Sequence, residues 1–171
     1  NLSINGDPIR GLPQSIVIDG VPQQEIIMNK QYPVNAGSKV YITGNFYLST
    51  SLGVDLNNSK ISDNLVNYSQ LFSYCSNLIG SPICGSNTIN MYAAYHNCLN
   101  LTGPPVCGPN VTNMRSTYLN CRNMIGSPVC GPNVIDMQSI YCNCGKLTGS
   151  PVCGNNVRNM ACAYEKCNNY S

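Results

Sequence analysis

Residues 98–120 read CLNLTGPPVCGPNVTNMRSTYLN, and residues 121–143 read CRNMIGSPVCGPNVIDMQSIYCN. Laid over one another, the two stretches share Cys, Asn, Gly, Pro, Val, Met and Tyr at matching places. The register extends outward in both directions. Residues 75–97 and 144–166 carry the same pattern, and a degenerate unit precedes them in Asn64-Leu65-Val66-Asn67-Tyr68 and Phe72. Cys75, Cys98, Cys121, Cys144 and Cys167 recur every 23 residues, and Cys84, Cys107, Cys130 and Cys153 keep the same interval. Self-similarity at a fixed period of roughly 20–50 residues marks a repeat architecture in which each unit buries its apolar side against the next. The spacing predicts a repeat solenoid over 51–171.

Within one unit, Met114, Tyr118 and Cys121 stand at i, i+4 and i+7, the stripe of a helical turn. Met91/Tyr95/Cys98, Met137/Tyr141/Cys144 and Met160/Tyr164/Cys167 repeat it. A short helical segment is predicted in each unit. Leu78, Leu101, Met124 and Leu147, with Ile83, Val106, Val129 and Val152, read as the inward anchors of an extended side. Pro82, Pro105, Pro128 and Pro151 fall on that side in every unit, and proline cannot donate to a ladder. Any parallel sheet there is predicted to be only two or three residues wide. The glycines at 80, 103, 126 and 149 and at 85, 108, 131 and 154 bracket it, through positive φ or through close approach between units.

Positions that differ between the units lie on the outside: Ser76/Leu99/Arg122/Gly145, Ile89/Thr112/Ile135/Arg158, Tyr92/Arg115/Gln138/Ala161 and His96/Leu119/Cys142/Glu165. These are the places where a binding function can be written. Tyr92, Arg115, Gln138, His96, Arg122 and Arg158 form the candidate binding surface. Asn87, Asn110, Asn133 and Asn156, with Asn90, Asn113 and Asn159, read as ladders satisfying backbone groups at turns. The alternative reading makes them glycan contacts.

On these residues the unit resembles the leucine-rich repeats of the BspA type. Cys121, Met124, Val129, Val134, Met137, Tyr141 and Cys144 occupy the places matching that family's 23-residue pattern. Asn-Val-Thr-Asn-Met at 110–114 is similar to related bacterial surface repeats. The resemblance covers about Asn64 to Cys167, with Tyr in place of the usual Phe and a Pro-Val-Cys-Gly element in place of the aliphatic strand. It implies a mainly β or mixed solenoid of leucine-rich-repeat-like coils, as in adhesins and in phage tail and fibre proteins.

Residues 1–50 show no repeat. Ser15–Asp19, Glu25–Met28, Lys39–Thr43 and Asn45–Leu48 read as short strands, punctuated by Gly, Pro and Asn. They predict a small all-β module that caps the first coil. The sequence opens at Asn1 without an initiator Met or a signal-peptide pattern, so either a leader is removed or the chain belongs to a longer polypeptide. The coil ending at Cys167 carries no evident cap. That predicts a partner, a continuation or self-association there, up to a homo-oligomer or a virion or filament assembly.

Charged residues make up 9% of the 171, with nine Lys and Arg against seven Asp and Glu, which gives no electrostatic case for nucleic acid. No run approaches the ~18 apolar residues of a membrane span, so no membrane insertion is expected. His96 is the single histidine, and the seven carboxylates form no pair on a recognisable catalytic motif. No enzyme activity, cofactor or metal is expected. The eleven cysteines read as two buried ladders of free thiols. Disulfides, with off-ladder Cys142 and Cys162 as candidates, and a metal site are the alternatives. The function expected is recognition of a cell-surface protein or glycan, on a virion surface or an extracellular or cell surface. The alternative is a structural or decoration subunit.

Overall fold

A computed structural model describes residues 2–5, 13–24, 30–35, 38, 40–44, 47–50, 56–59, 63 and 65–167. Among the described residues, regular strands lie in the first fifty, in two three-stranded antiparallel sheets. In one sheet β1 (Leu2–Asn5) sits between β4 (Lys30–Tyr32) and β6 (Tyr47–Thr50). In the other, β2 (Pro13–Ile18) sits between β3 (Val21–Pro22) and β5 (Val40–Gly44). Asp19 and Gly20 link β2 to β3 with φ of 50° and 82°. Positive φ at both central residues is what a two-residue hairpin needs to match strand twist. Ile16 and Ile18 alternate inward and pack with Tyr32, Val34, Val40 and Ile42. The expected strands at 15–19 and 39–43 fall on β2 and β5. Glu25–Met28 lies outside the described residues.

The chain does not form the expected solenoid of leucine-rich-repeat-like coils with short helical segments. Among the described residues there is no α-helix, and the one helical element is a three-residue 3₁₀ turn, Leu56–Asn58. No parallel sheet forms on the proline side, where residues 81–85 and their counterparts are irregular. From 65 to 167 the chain is a succession of turns, and strand-type pairing is confined to single parallel bridges: Asn67 with Asn90, Asn90 with Asn113, Asn113 with Asp136, Asp136 with Asn159.

The hydrogen bonds give the reason. A helix needs every N–H to reach four residues back. Here Met114, Ser116, Tyr118 and Asn120 donate instead to the carbonyls of Asp136, Gln138, Ile140 and Cys142, at 2.8–3.0 Å. The alternate residues Thr117, Leu119 and Cys121 donate three back, to Met114, Ser116 and Tyr118. Every second N–H therefore serves the next unit. The alternation requires left-handed residues: Ala93, Ser116, Ser139 and Cys162 have φ of 51–55°, and Asn97, Asn120, Asn143 and Lys166 have φ of 57–64°.

The Met, Tyr and Cys columns still face inward, because four residues of this turn run return to the same side. Met114, Tyr118, Cys121 and Met124 have no exposed surface, and a single apolar cluster runs from Leu56 to Cys167. The rings of Tyr95, Tyr118 and Tyr141 stack at 5.6 and 5.7 Å, nearly parallel, with Phe72 on one side and Tyr164 on the other. Each hydroxyl then ties down the proline side of its own unit. Val106 N–H donates to Tyr118 Oη at 3.0 Å, and that hydroxyl donates to Val106 O at 2.7 Å. Tyr95, Tyr141 and Tyr164 do the same with Ile83, Val129 and Val152. Proline is tolerated there because a side chain, not a ladder, satisfies the backbone.

The thiols of the first cysteine column also donate. Cys98, Cys121, Cys144 and Cys167 Sγ reach the carbonyls of Phe72, Tyr95, Tyr118 and Tyr141 at 2.9–3.0 Å. None of the eleven cysteines is joined to another in a disulfide. Gly80, Gly126 and Gly149 take positive φ, whereas Gly103 in the same column and Gly131 in the other are places of close approach, a Cβ on Gly131 lying 2.6 Å from Cys107 Sγ.

Candidate functional site

In the sequence Asn110-Val111-Thr112 the middle residue is buried and its neighbours are turned outward. The same holds for Asn133-Val134-Ile135 and Asn87-Thr88-Ile89. An extended backbone sends alternate side chains to opposite faces. Two outward columns two residues apart therefore run side by side along the stack. Between them lies a groove of about 680 Å³, lined by Asn87, Asn110, Asn133 and Asn156 on one side and Val66, Ile89, Thr112, Ile135 and Arg158 on the other.

The amide wall is held in place by its own nitrogens. Asn110, Asn133 and Asn156 Nδ2 donate to the carbonyls of Ser86, Pro109 and Pro132, at 3.0, 2.9 and 2.8 Å. That leaves the Oδ1 atoms as acceptors toward solvent. The opposite wall is aliphatic, with Val66, Ile89 and Ile135 each close to half exposed. Its backbone is spent: Ile89, Thr112, Ile135 and Arg158 N–H each bond the residue one unit earlier, at 2.8–2.9 Å. Arg158 is the one ionisable side chain among the lining residues.

Of the six residues expected to form a binding surface, only Arg158 lines this groove. Tyr92, Arg115 and Gln138 do form one column, outside the groove. The N–H groups of Tyr92, Arg115 and Gln138 are taken by Asn90, Asn113 and Asp136 Oδ1 at 2.9 Å, a local side-chain turn repeated in each unit. Gln138 Oε1 also accepts from Asn159 Nδ2 at 3.2 Å. His96 lies half-buried against Tyr74, ring centroids 4.9 Å apart, with Nε2 3.0 Å from Asn97 Nδ2. Burial pulls its pKa below the ordinary histidine value. Arg122 is exposed on a separate turn. The six do not converge.

Comparison with family models, with curated proteins and with solved structures gives no match. The likeness to BspA-type repeats rests on the quoted residues alone.

The signal for the groove lay in the alternation itself. Each unit carries Asn, then an inward Thr or Val, then a variable residue, and this i, i+2 spacing puts the Asn column beside the variable one. A third ladder was visible only as the Asn that closes each unit, at 97, 120 and 143. Asn97, Asn120 and Asn143 bond one another side chain to side chain, Asn120 Nδ2 to Asn97 Oδ1 at 2.8 Å and Asn143 Nδ2 to Asn120 Oδ1 at 2.7 Å. Asn is well suited to that place because it tolerates the left-handed backbone. Among the described residues, no three His, Cys, Asp or Glu side chains are grouped as metal ligands. Among them, too, no helix is long and apolar enough to cross a membrane.

Proposed function

We propose that the chain is a non-enzymatic recognition module of a virion appendage or a cell-surface adhesin, and that it takes a surface receptor or glycan along the groove. One observation carries this reading. Two columns of different chemistry, amide oxygens and aliphatic side chains, run parallel on the outside of a stack whose inside is occupied by Met, Tyr, Cys and aliphatic side chains. Small-molecule and polymer sites commonly combine apolar surface with a few placed polar groups. The variable column permits the ligand contacts to change from unit to unit without disturbing the core.

The test is retention of the labelled chain on glycan arrays and on intact cells. Ile89→Asp with Ile135→Asp places charge on the aliphatic wall at exposed positions, and retention is expected to fall at least about tenfold, the loss of one well-made contact region. Arg122→Ala, away from the groove, is expected to leave retention unchanged. Retention that survives the double substitution would remove the groove from recognition.

A further inference from the structure

We propose that the groove's ligand is a linear acidic oligosaccharide lying along the stack, one sugar residue per 23-residue unit, with its carboxylate on Arg158. This rests on the groove being the recognition site.

Step length is the first argument. Like side chains recur along the stack at 5.5–5.7 Å, the spacing of the tyrosine rings, and hydrogen-bonded backbones lie roughly 4.8 Å apart. An extended peptide presents one face every two residues, a step of roughly 6.6 Å. Laid in the groove it would fall progressively out of register with the units. A pyranose ring with its glycosidic oxygen spans close to one step, so successive sugars meet successive units.

The hydrogen-bonding groups point the same way. A peptide binds an edge by completing a ladder, but the N–H groups of Ile89, Thr112, Ile135 and Arg158 already bond the preceding unit. What the groove offers is a file of acceptors, Oδ1 of Asn110, Asn133 and Asn156, whose amide nitrogens are engaged. Sugar hydroxyls supply donors in such a file. Val66, Ile89 and Ile135 give the C–H face of the rings an apolar floor.

Charge sets the polarity. Arg158 stands at one end of its column with no carboxylate among the lining residues, and its guanidinium is the natural fork for a sugar carboxylate. At the other end the lining residues Val66 and Asn87 carry no charge, and the Asp63 carboxylate, bonded to Ser86 N–H and Oγ at 3.1 and 2.9 Å, disfavours a second anion there. The acidic residue therefore sits at the Arg158 end.

Calorimetry with oligogalacturonates and hyaluronan oligosaccharides of two to seven sugars, each beside its carboxyl-reduced form, decides the matter. Affinity for at least one acidic series is expected to rise with length and level off near five sugars, one for each of the units at 66, 89, 112, 135 and 158. Arg158→Gln is expected to weaken the acidic ligand by about tenfold and the reduced one little. Equal binding of acidic and reduced chains, or no change in Arg158→Gln, would overturn the assignment. If neither series binds while Ile89→Asp/Ile135→Asp still abolishes retention on cells, the sugar assignment fails and the groove reading stands. If that double variant changes nothing, both fall.

Discussion

Tyr118 shows how much one atom decides. Its ring fills a fully buried place between Tyr95 and Tyr141, and phenylalanine would fill it equally well, as Phe72 does at the head of the column. The hydroxyl is what differs, accepting from Val106 N–H and donating to Val106 O. Tyr118→Phe keeps the stacking and strands both backbone groups. Leaving a buried polar group unpaired costs about 1–3 kcal/mol. Urea unfolding should therefore show a loss of about 1–3 kcal/mol with an unchanged denaturant slope, and a loss below about 0.5 kcal/mol would dismiss the clamp. That Tyr faces inward was legible from its 23-residue recurrence. The hydroxyl's task was not, because its partner lies twelve residues upstream, in a segment whose prolines hid how its backbone is satisfied.

At the scale of the element, the missing helix has a physical cause. By periodicity, spacings of i, i+4 and i+7 mean one helical face, yet a turn run with left-handed residues four apart, as at Ser116 and Asn120, returns side chains to the same side at those intervals. Nothing local distinguishes the two, since Ala93, Ser116, Ser139 and Cys162 are not residues that announce φ above zero. The stacking of units imposes it, by drawing every second N–H across to the neighbour. The left-handed backbone costs an L-residue roughly 1–2 kcal/mol, and β-branching adds to it. Ser116→Gly should leave stability equal or higher by up to about 1–2 kcal/mol, while Ser116→Val should lower it through its β-branch, as read by thermal unfolding. The opposite order would mean that the turn run is not what sets the cost. The groove is the counterpart case: strand-like alternation over Asn-Val-Thr was present in the sequence, and its two outward columns were visible separately. Their adjacency follows only once the segment is known to be extended rather than part of a coil with helix.

Across the whole molecule, one continuous core of Tyr, Met and Cys joins all the units, and most of its titratable members are neutral acids. That makes the stack sensitive to alkali. Burial holds the Tyr95, Tyr118 and Tyr141 phenols and the Cys98 and Cys121 thiols well above their ordinary values, because the anions would lose their hydration. Cys107 is pushed up to about 12 by the same cause. In the unfolded chain thiols ionise near 9 and phenols near 10. A group raised on folding gives its full stabilisation below its unfolded pKa and loses it as pH climbs toward the folded one. Losses should begin near pH 9 with the thiols and steepen near pH 10 as the phenols join. His96 acts in the other direction, since its value is lowered by burial, so its contribution fades below about pH 6.5. Urea midpoints should thus be flat from about pH 7 to 8 and fall steeply from about pH 9 upward. Between its unfolded and folded values, each buried acid removes about 1.4 kcal/mol for every tenfold drop in proton concentration. A midpoint that stayed flat to about pH 11 would mean that the columns are open to water, and the stacked core described above would have to be given up.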